Sequence, residues 1–234
     1  MENKILNENC LDGILKLKNE SVDLIVTDPP YSIGVSSNGA RSNFSDNNLI
    51  VPFFKELFSQ MERVLKHGGE LYLFTDWRTY PLLYPLLEQK FKIRNCIVWD
   101  YEWIKAGSFY RFRHEFIIYC TKGDTKARFS MSEPDVWRMK PVNFTGIRYH
   151  PAQKPIEVLS RIIENSSREN ELVLDCFIGS GSTAIACIEK NRKYVGFEID
   201  ENIFNTARKR IEDFVEQKER TIDLFQEVND DYEV

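Results

Sequence analysis

Asp28-Pro-Pro-Tyr31 is the tetrapeptide of this 234-residue chain whose residue types limit its chemistry most narrowly. Two prolines stiffen the backbone and remove two N–H donors, leaving carbonyls and one carboxylate as acceptors. An acceptor-only pocket beside a flat phenol suits a planar group bearing an exocyclic NH2. A second constellation is Asp175-Cys-Phe-Ile-Gly-Ser-Gly-Ser-Thr183. Glycine lets the backbone approach a ligand closely, and a following helix start offers unpaired N–H groups. Glu198 lies 19 residues after Gly179, where a carboxylate can accept from two ribose hydroxyls. Gly179, Gly181 and Ala184 also fit G-x-G-x-x-A, so a nicotinamide dinucleotide competes for this turn. Asp175 weighs against it. A carboxylate there would repel a pyrophosphate, whereas it suits the ammonium of an amino-acid-bearing cofactor such as S-adenosylmethionine.

These groups need rigid supports. Val22–Thr27 is an apolar strand candidate ending at Asp28, which puts the tetrapeptide at a strand's carboxyl end, where α/β sheets bind ligands. Glu171–Asp175 is a strand candidate running into the glycine turn, with a helix over Ala184–Glu189 behind it. Tyr194–Phe197 reads as a further strand ending at Glu198, before an amphipathic helix from Glu201. Lys4–Leu6, Glu70–Thr75, Lys92–Trp99 and Glu115–Thr121 complete the strands, the last two as neighbours. Phe54, Leu57, Phe58, Met61, Val64 and Leu65 recur at helical spacing, and Gly68-Gly69 are expected to stop that helix. Trp77–Gln89 reads as a helix disturbed by Pro81 and Pro85, and another runs from Pro155 to about Asn165. Ser32–Asn48, rich in Ser, Asn and Gly, reads as a loop. Strands alternating with helices predict an α/β fold with a largely parallel sheet covered on both faces.

Charge is distributed unevenly. The net charge is -5, with 31 Lys+Arg against 36 Asp+Glu, which taken alone argues against a nucleic-acid partner. Residues 211–234 carry nine acids and two bases, so the rest of the chain is slightly basic. Tyr101–Arg148 holds nine basic residues, five acids and ten of the thirty aromatics, a mixture suited to a polyanion with stackable bases. Five cysteines form no CxxC pair and no metal-ligand spacing, and their odd number suits a reducing cytoplasm. No apolar run approaches the ~18 residues of a membrane span, and the start lacks the pattern of a secretion signal. Membrane, secreted and zinc-scaffold classes are therefore not expected.

The chain resembles the DNA amino-methyltransferases that make N6-methyladenine or N4-methylcytosine. Asp28-Pro-Pro-Tyr31 matches their catalytic motif and Asp175–Thr183 looks like their cofactor motif. His150-Pro-Ala-Gln-Lys-Pro155 is similar to the element preceding the cofactor motif in the circularly permuted β-type subgroup, and the order of the three motifs is that subgroup's. The resemblance covers about Ile5 to Ile211 and implies a Rossmann-like methyltransferase fold in permuted order. It divides a single domain into a catalytic half (1–121), a short recognition insert (122–148), a cofactor half (149–210) and an acidic tail (211–234).

Several site roles follow from the resemblance. Asp28 and the Pro29 carbonyl would accept from the target amine, with Pro30 stiffening the loop and Tyr31 stacking on the base. Phe177, Gly179, Ser180, Gly181 and Ser182 would surround the cofactor, with Asp175 towards its ammonium and Glu198 on its ribose. His150 and Lys154 would hold it from the other side, Lys154 near its carboxylate. Asn9-Cys10 stands where the family more usually has Asp-Cys beside the cofactor adenine. Cys176 replaces a usual proline, and Ser182-Thr183 a common Thr-Thr.

Asp28, rather than Ser, favours N6 of adenine over N4 of cytosine. The partner implied is double-stranded DNA with the target base flipped out, at a cost of a few kcal/mol. Arg111, Arg113, Arg138 and Lys140 are the basic candidates for DNA contact, although Arg113 beside His114-Glu115 could instead join an ion-pair cluster. So short an insert implies a short or loosely read site, or recognition shared with a second copy in a homodimer. Two competing functions stay open: a nicotinamide-dependent oxidoreductase, and a catalytically silent DNA-binding relative.

Overall fold

The computed structural model describes residues 2–30, 47–105, 109–125, 133–142, 149 and 153–230. Its strands are β1 (Lys4–Asn7), β2 (Val22–Thr27), β3 (Leu65–Thr75), β4 (Lys92–Asp100), β5 (His114–Thr121), β6 (Val136–Arg138), β7 (Leu172–Asp175) and β8 (Lys193–Glu198). Its helices are α1 (Cys10–Leu15), α2 (Asn47–Val64), α3 (Tyr80–Leu87), α4 (Ile156–Ser166), α5 (Ser182–Glu189) and α6 (Glu201–Asp230).

The strands form one sheet in the order β1-β8-β7-β2-β3-β5-β4-β6. Pairing is parallel from β1 through to β3, and β5 runs antiparallel to both β3 and β4. Every residue of β2 and β7 is buried, as apolar runs demand when helices cover both faces. One core lies under α1, α2 and α3, with Ile14, Phe54, Phe58 and Leu83 against Ile25 and Leu174. The other lies under α4, α5 and α6, with Val158, Ile162, Ile185 and Ile211 against Leu24 and Val173. The expected α/β architecture is thus present.

Three elements depart from expectation. Gly68-Gly69 do not stop α2. The helix gives way at Leu65 to β3, and both glycines lie inside that strand. There the register with β2 jumps from Val22↔Leu65 to Leu24↔Glu70, and Gly68 takes a φ of 78° that accommodates the irregularity. The helix expected over Trp77–Gln89 is shorter and begins at Tyr80. Pro81 then falls in the first turn, where its missing N–H has no intrahelical partner to lose. Finally, the span expected to be a recognition insert contains β6, which pairs in parallel with β4 and buries Trp137. Part of its aromatic content therefore serves the core.

Candidate active site

Going outward from the centre of the sheet, the chain leaves β7 for β8 on one side and β2 for β3 on the other. The crevice at such a reversal, beyond the carboxyl ends of the strands, is where open α/β sheets take ligands. Two sequence motifs meet there. The Thr27 hydroxyl donates to Asp175 Oδ1 at 3.1 Å across 148 residues of chain, which places Asp28 beside the glycine turn.

A cavity of about 810 Å³ opens at this point. Asn9, Cys10, Asp28, Pro29, Pro30, Lys154, Asp175, Phe177, Gly179, Ser180, Ser182 and Glu198 all line it. Gly181 stands just behind the wall as the residue capping α5, with a φ of 82° that favours glycine. A Cβ there would come within 3.0 Å of Ile211. Tyr31 and His150 lie outside the described residues.

Asp175 organises the turn. Its Oδ1 accepts from the Phe177 N–H at 3.0 Å as well as from Thr27, and its Oδ2 accepts from the Thr183 hydroxyl at 2.6 Å. Burial pushes its carboxyl up to about 6, and the nearby Asp28 charge acts in the same direction. Glu198 closes the far end, also raised by burial, with one oxygen accepting from the Asp200 N–H at 2.9 Å. Asn9 caps α1 through its side-chain oxygen, which accepts from the Leu11 N–H at 2.9 Å.

Lys154 is 9 % exposed and sits between two carboxylates, 2.5 Å from Asp28 Oδ2 and 3.2 Å from Glu115 Oε2. Burial would lower its pKa, but those two charges hold it above the ordinary lysine value. The ammonium thus faces the first residue of the Asp28-Pro-Pro-Tyr31 tetrapeptide.

Several other parts of the site lie outside the three motifs, although Trp103, Lys105 and Glu115 belong to the basic and aromatic stretch Tyr101–Arg148. Phe53, Phe74, Trp99, Trp103, Lys105 and Glu115 also line the cavity, from α2, β3, β4, β5 and the β4–β5 connection. Arg210 of α6 braces the glycine turn from behind. Its Nη1 donates to the Ser180 carbonyl at 2.8 Å and the Ser182 hydroxyl at 3.0 Å, and its guanidinium lies 4.9 Å from the Tyr149 ring.

Five carboxylates (Glu8, Asp28, Glu115, Asp175 and Glu198) share this wall with two ammonium groups, Lys105 and Lys154. Buried Glu8 Oε1 has no hydrogen-bond partner, leaving an acceptor for a ligand donor. That set of acceptors suits a cofactor with cationic and hydroxyl groups and opposes a pyrophosphate. Among the described residues no cluster of side chains could hold a metal ion.

The basic residues expected to contact DNA are not on this wall. Arg113 donates to both oxygens of Asp100, at 2.7 and 2.9 Å, so its charge is met within the protein. Arg111 reaches the Lys105 carbonyl at 3.1 Å, while Arg138 and Lys140 are exposed on and just after β6. Four exposed aromatics, Trp103, Phe109, Tyr110 and Phe112, stand instead on the β4–β5 connection, and Trp103 reaches the cavity.

Comparison with known proteins agrees with this geometry. The DNA methylase family model matches residues 22–209. The Type II methyltransferase M2.DpnII of Streptococcus pneumoniae is 31 % identical, covering 89 % of this chain and 89 % of its own. The DNA adenine methyltransferase YhdJ of Escherichia coli (strain K12) is 28 % identical, covering 89 % of this chain and 82 % of its own. The crystal structure of the M1.HpyAVI–S-adenosylmethionine complex superposes with a TM-score of 0.67 at 25 % identity, over 88 % of this chain and 98 % of that one.

Proposed function

The chain belongs to the N6/N4 DNA methylase family and is an S-adenosylmethionine-dependent DNA methyltransferase; we propose that it acts on N6 of an adenine flipped out of the duplex. The carboxylates lining the cavity oppose the pyrophosphate that a nicotinamide dinucleotide would bring there. The observation that carries the proposal is the junction of Asp28 with the Asp175 turn, through Thr27, on one carboxylate-rich cavity. The relative YhdJ is named a DNA adenine methyltransferase, which favours adenine as the base.

The adenine amine is a poor nucleophile because its lone pair is delocalised into the ring. Asp28 and the Pro29 carbonyl accept its N–H bonds and draw them from the ring plane, which localises the lone pair. When bound, S-adenosylmethionine supplies the methyl group on a sulfonium for direct in-line displacement. Positive charge would then grow on the amine as the neutral thioether leaves; the Asp28 carboxylate stabilises that charge, and the surplus amine proton passes to solvent. Tyr31 stacks on the extruded base, offsetting part of the flipping cost by about 1–3 kcal/mol. Asp175, Phe177, Gly179, Ser180, Ser182 and Glu198 hold the cofactor, with Asn9, Cys10, His150 and Lys154 completing its surroundings. Residues 1–121 form the catalytic half and 149–210 the cofactor half, with 122–148 as recognition insert and 211–234 as acidic tail. DNA contact draws on Arg111, Arg138 and Lys140 and extends to the exposed β4–β5 aromatics, in a monomer or a homodimer, in the cytoplasm.

One digestion tests this. Unmethylated DNA is incubated with the protein and methyl-labelled cofactor, then hydrolysed to nucleosides. Label in N6-methyldeoxyadenosine is expected. Label in methylcytosine would move the activity to N4 of cytosine, and no label in DNA would refute the reading.

A further inference from the structure

Glu115 opens the second residue of β5, is only partly buried as a whole residue, and yet points its carboxylate into the cavity wall. A carboxylate in such a place is costly, and an ion pair there adds little stability over an apolar residue. Its surroundings suggest a different use. The Lys154 ammonium lies 3.2 Å from Glu115 and 2.5 Å from Asp28. The Tyr101 hydroxyl, from a side chain 2 % exposed, donates to Glu115. Lys105, whose Nζ lies 3.5 Å from the centre of the Tyr101 ring, adds a second positive charge beside it. Burial pushes the Glu115 carboxyl up, but Lys154 and Lys105 together bring it below the ordinary glutamate range.

We propose that Glu115 is a positioning residue of the transfer site, whose charge offsets the Lys154 ammonium so that Asp28 keeps its negative charge towards the reacting amine. This rests on the methyltransferase reading above. Glu115 acts through Lys154: it draws the ammonium to one side of Asp28, holding Oδ2 and leaving the rest of the carboxylate for the cavity. Without Glu115, the ammonium would oppose Asp28 alone, and the cationic centre of the reaction would meet one unit less of negative charge. Glutamine keeps the volume of glutamate but loses the charge and turns one acceptor oxygen into a donor, so Glu115→Asp and the charge-restoring double variant are needed to isolate the charge.

Calorimetry on the full chain reads this without turnover. The probes are S-adenosylmethionine and its neutral thioether, S-adenosylhomocysteine, which differ by the sulfonium charge. Glu115→Gln should lower the affinity ratio of the two by about tenfold, the effect of one charge at a few ångströms' remove in a partly screened cavity. Adding Lys154→Met restores the local charge and should return the ratio to within about threefold of the wild type. Glu115→Asp keeps the charge and should leave the ratio there too. The methyl-transfer kcat of Glu115→Gln should fall about 10- to 100-fold, with KM for cofactor changing less. An unchanged ratio in Glu115→Gln, a double variant whose ratio is no higher than that of Glu115→Gln, or an equal loss in Glu115→Asp would each overturn the proposal. Failure of the wild type to bind S-adenosylmethionine would instead overturn the methyltransferase reading itself.

Discussion

Asp175 offers a charge effect whose size and sign can be worked from its surroundings. The side chain is 5 % exposed, and its carboxyl stands at about 6 against an ordinary 3.8, chiefly through burial. Each pKa unit corresponds to roughly 1.36 kcal/mol between protonation states. Holding the ionised form therefore costs the folded protein about 3 kcal/mol. The folded state keeps its proton between about pH 4 and 6, where the unfolded chain has already lost it. Stability from this group is accordingly greatest below about pH 4, declines as pH rises to 6, and stays at its lower level above. Asp175→Asn removes that dependence. It also disturbs the bonds from Thr27, Phe177 and Thr183, but that loss is independent of pH. Urea unfolding of wild type and variant from pH 4 to 7.5 isolates the effect, because Glu198, also raised by burial, cancels in the difference. The variant should gain about 2–2.5 kcal/mol on the wild type across that range. A flat difference, or one of opposite slope, would refute the placement of Asp175 as a buried ionisable group.

The remaining predictions concern the other parts of the site. Asp28→Ala should abolish methyl transfer, while cofactor affinity measured by calorimetry changes no more than about tenfold; comparable turnover would sink its catalytic role. Arg210→Met removes the donor to Ser180 and Ser182, so the unfolding free energy should fall by about 2–3 kcal/mol. Cofactor binding should weaken with it, and an unaltered affinity would show that the turn does not need its brace. In salt titrations of DNA binding, Arg111→Ala and Lys140→Ala should each reduce the slope by about one, whereas Arg113→Ala, paired with Asp100, should leave it nearly unchanged.

The parts legible in the sequence were those written in local patterns. Val22–Thr27 and the Asp175–Thr183 turn needed only an apolar run and glycine spacing to be placed, and both strands stand where expected. Gly68-Gly69 misled because glycine ends a helix and also permits a strand irregularity, and only pairing with β2 separates the two. Arg210 carries no local sign, because the Ser180 and Ser182 groups it braces belong to another element. Glu115 is legible as a member of an ion-pair cluster, but its cation is Lys154 rather than the adjacent Arg113, which pairs with Asp100. Trp137 and Tyr101, counted among aromatics suited to bases, are buried, while the exposed Phe109 and Tyr110 carry no local sign of their exposure.

The placement of the site follows from position in the sheet rather than position in the sequence. The tetrapeptide precedes the glycine turn by well over a hundred residues, yet β2 and β7 pair directly, with Leu24 opposite Val173 and Ile25 opposite Leu174. Their carboxyl ends therefore deliver Asp28 and Asp175 to one crevice, whichever motif comes first along the chain. Burial is the main reason the Asp175 carboxyl is raised, and the neighbouring Asp28 charge adds to it. The cost of ionising it falls when a cation enters. A cavity whose wall carries Asp28, Glu115, Asp175 and Glu198 is thus best matched to a cationic methyl donor, and least to a pyrophosphate. The net charge of -5 for the whole chain has no part in this: it is set by residues 211–234, away from the carboxylates at the junction of the two strands.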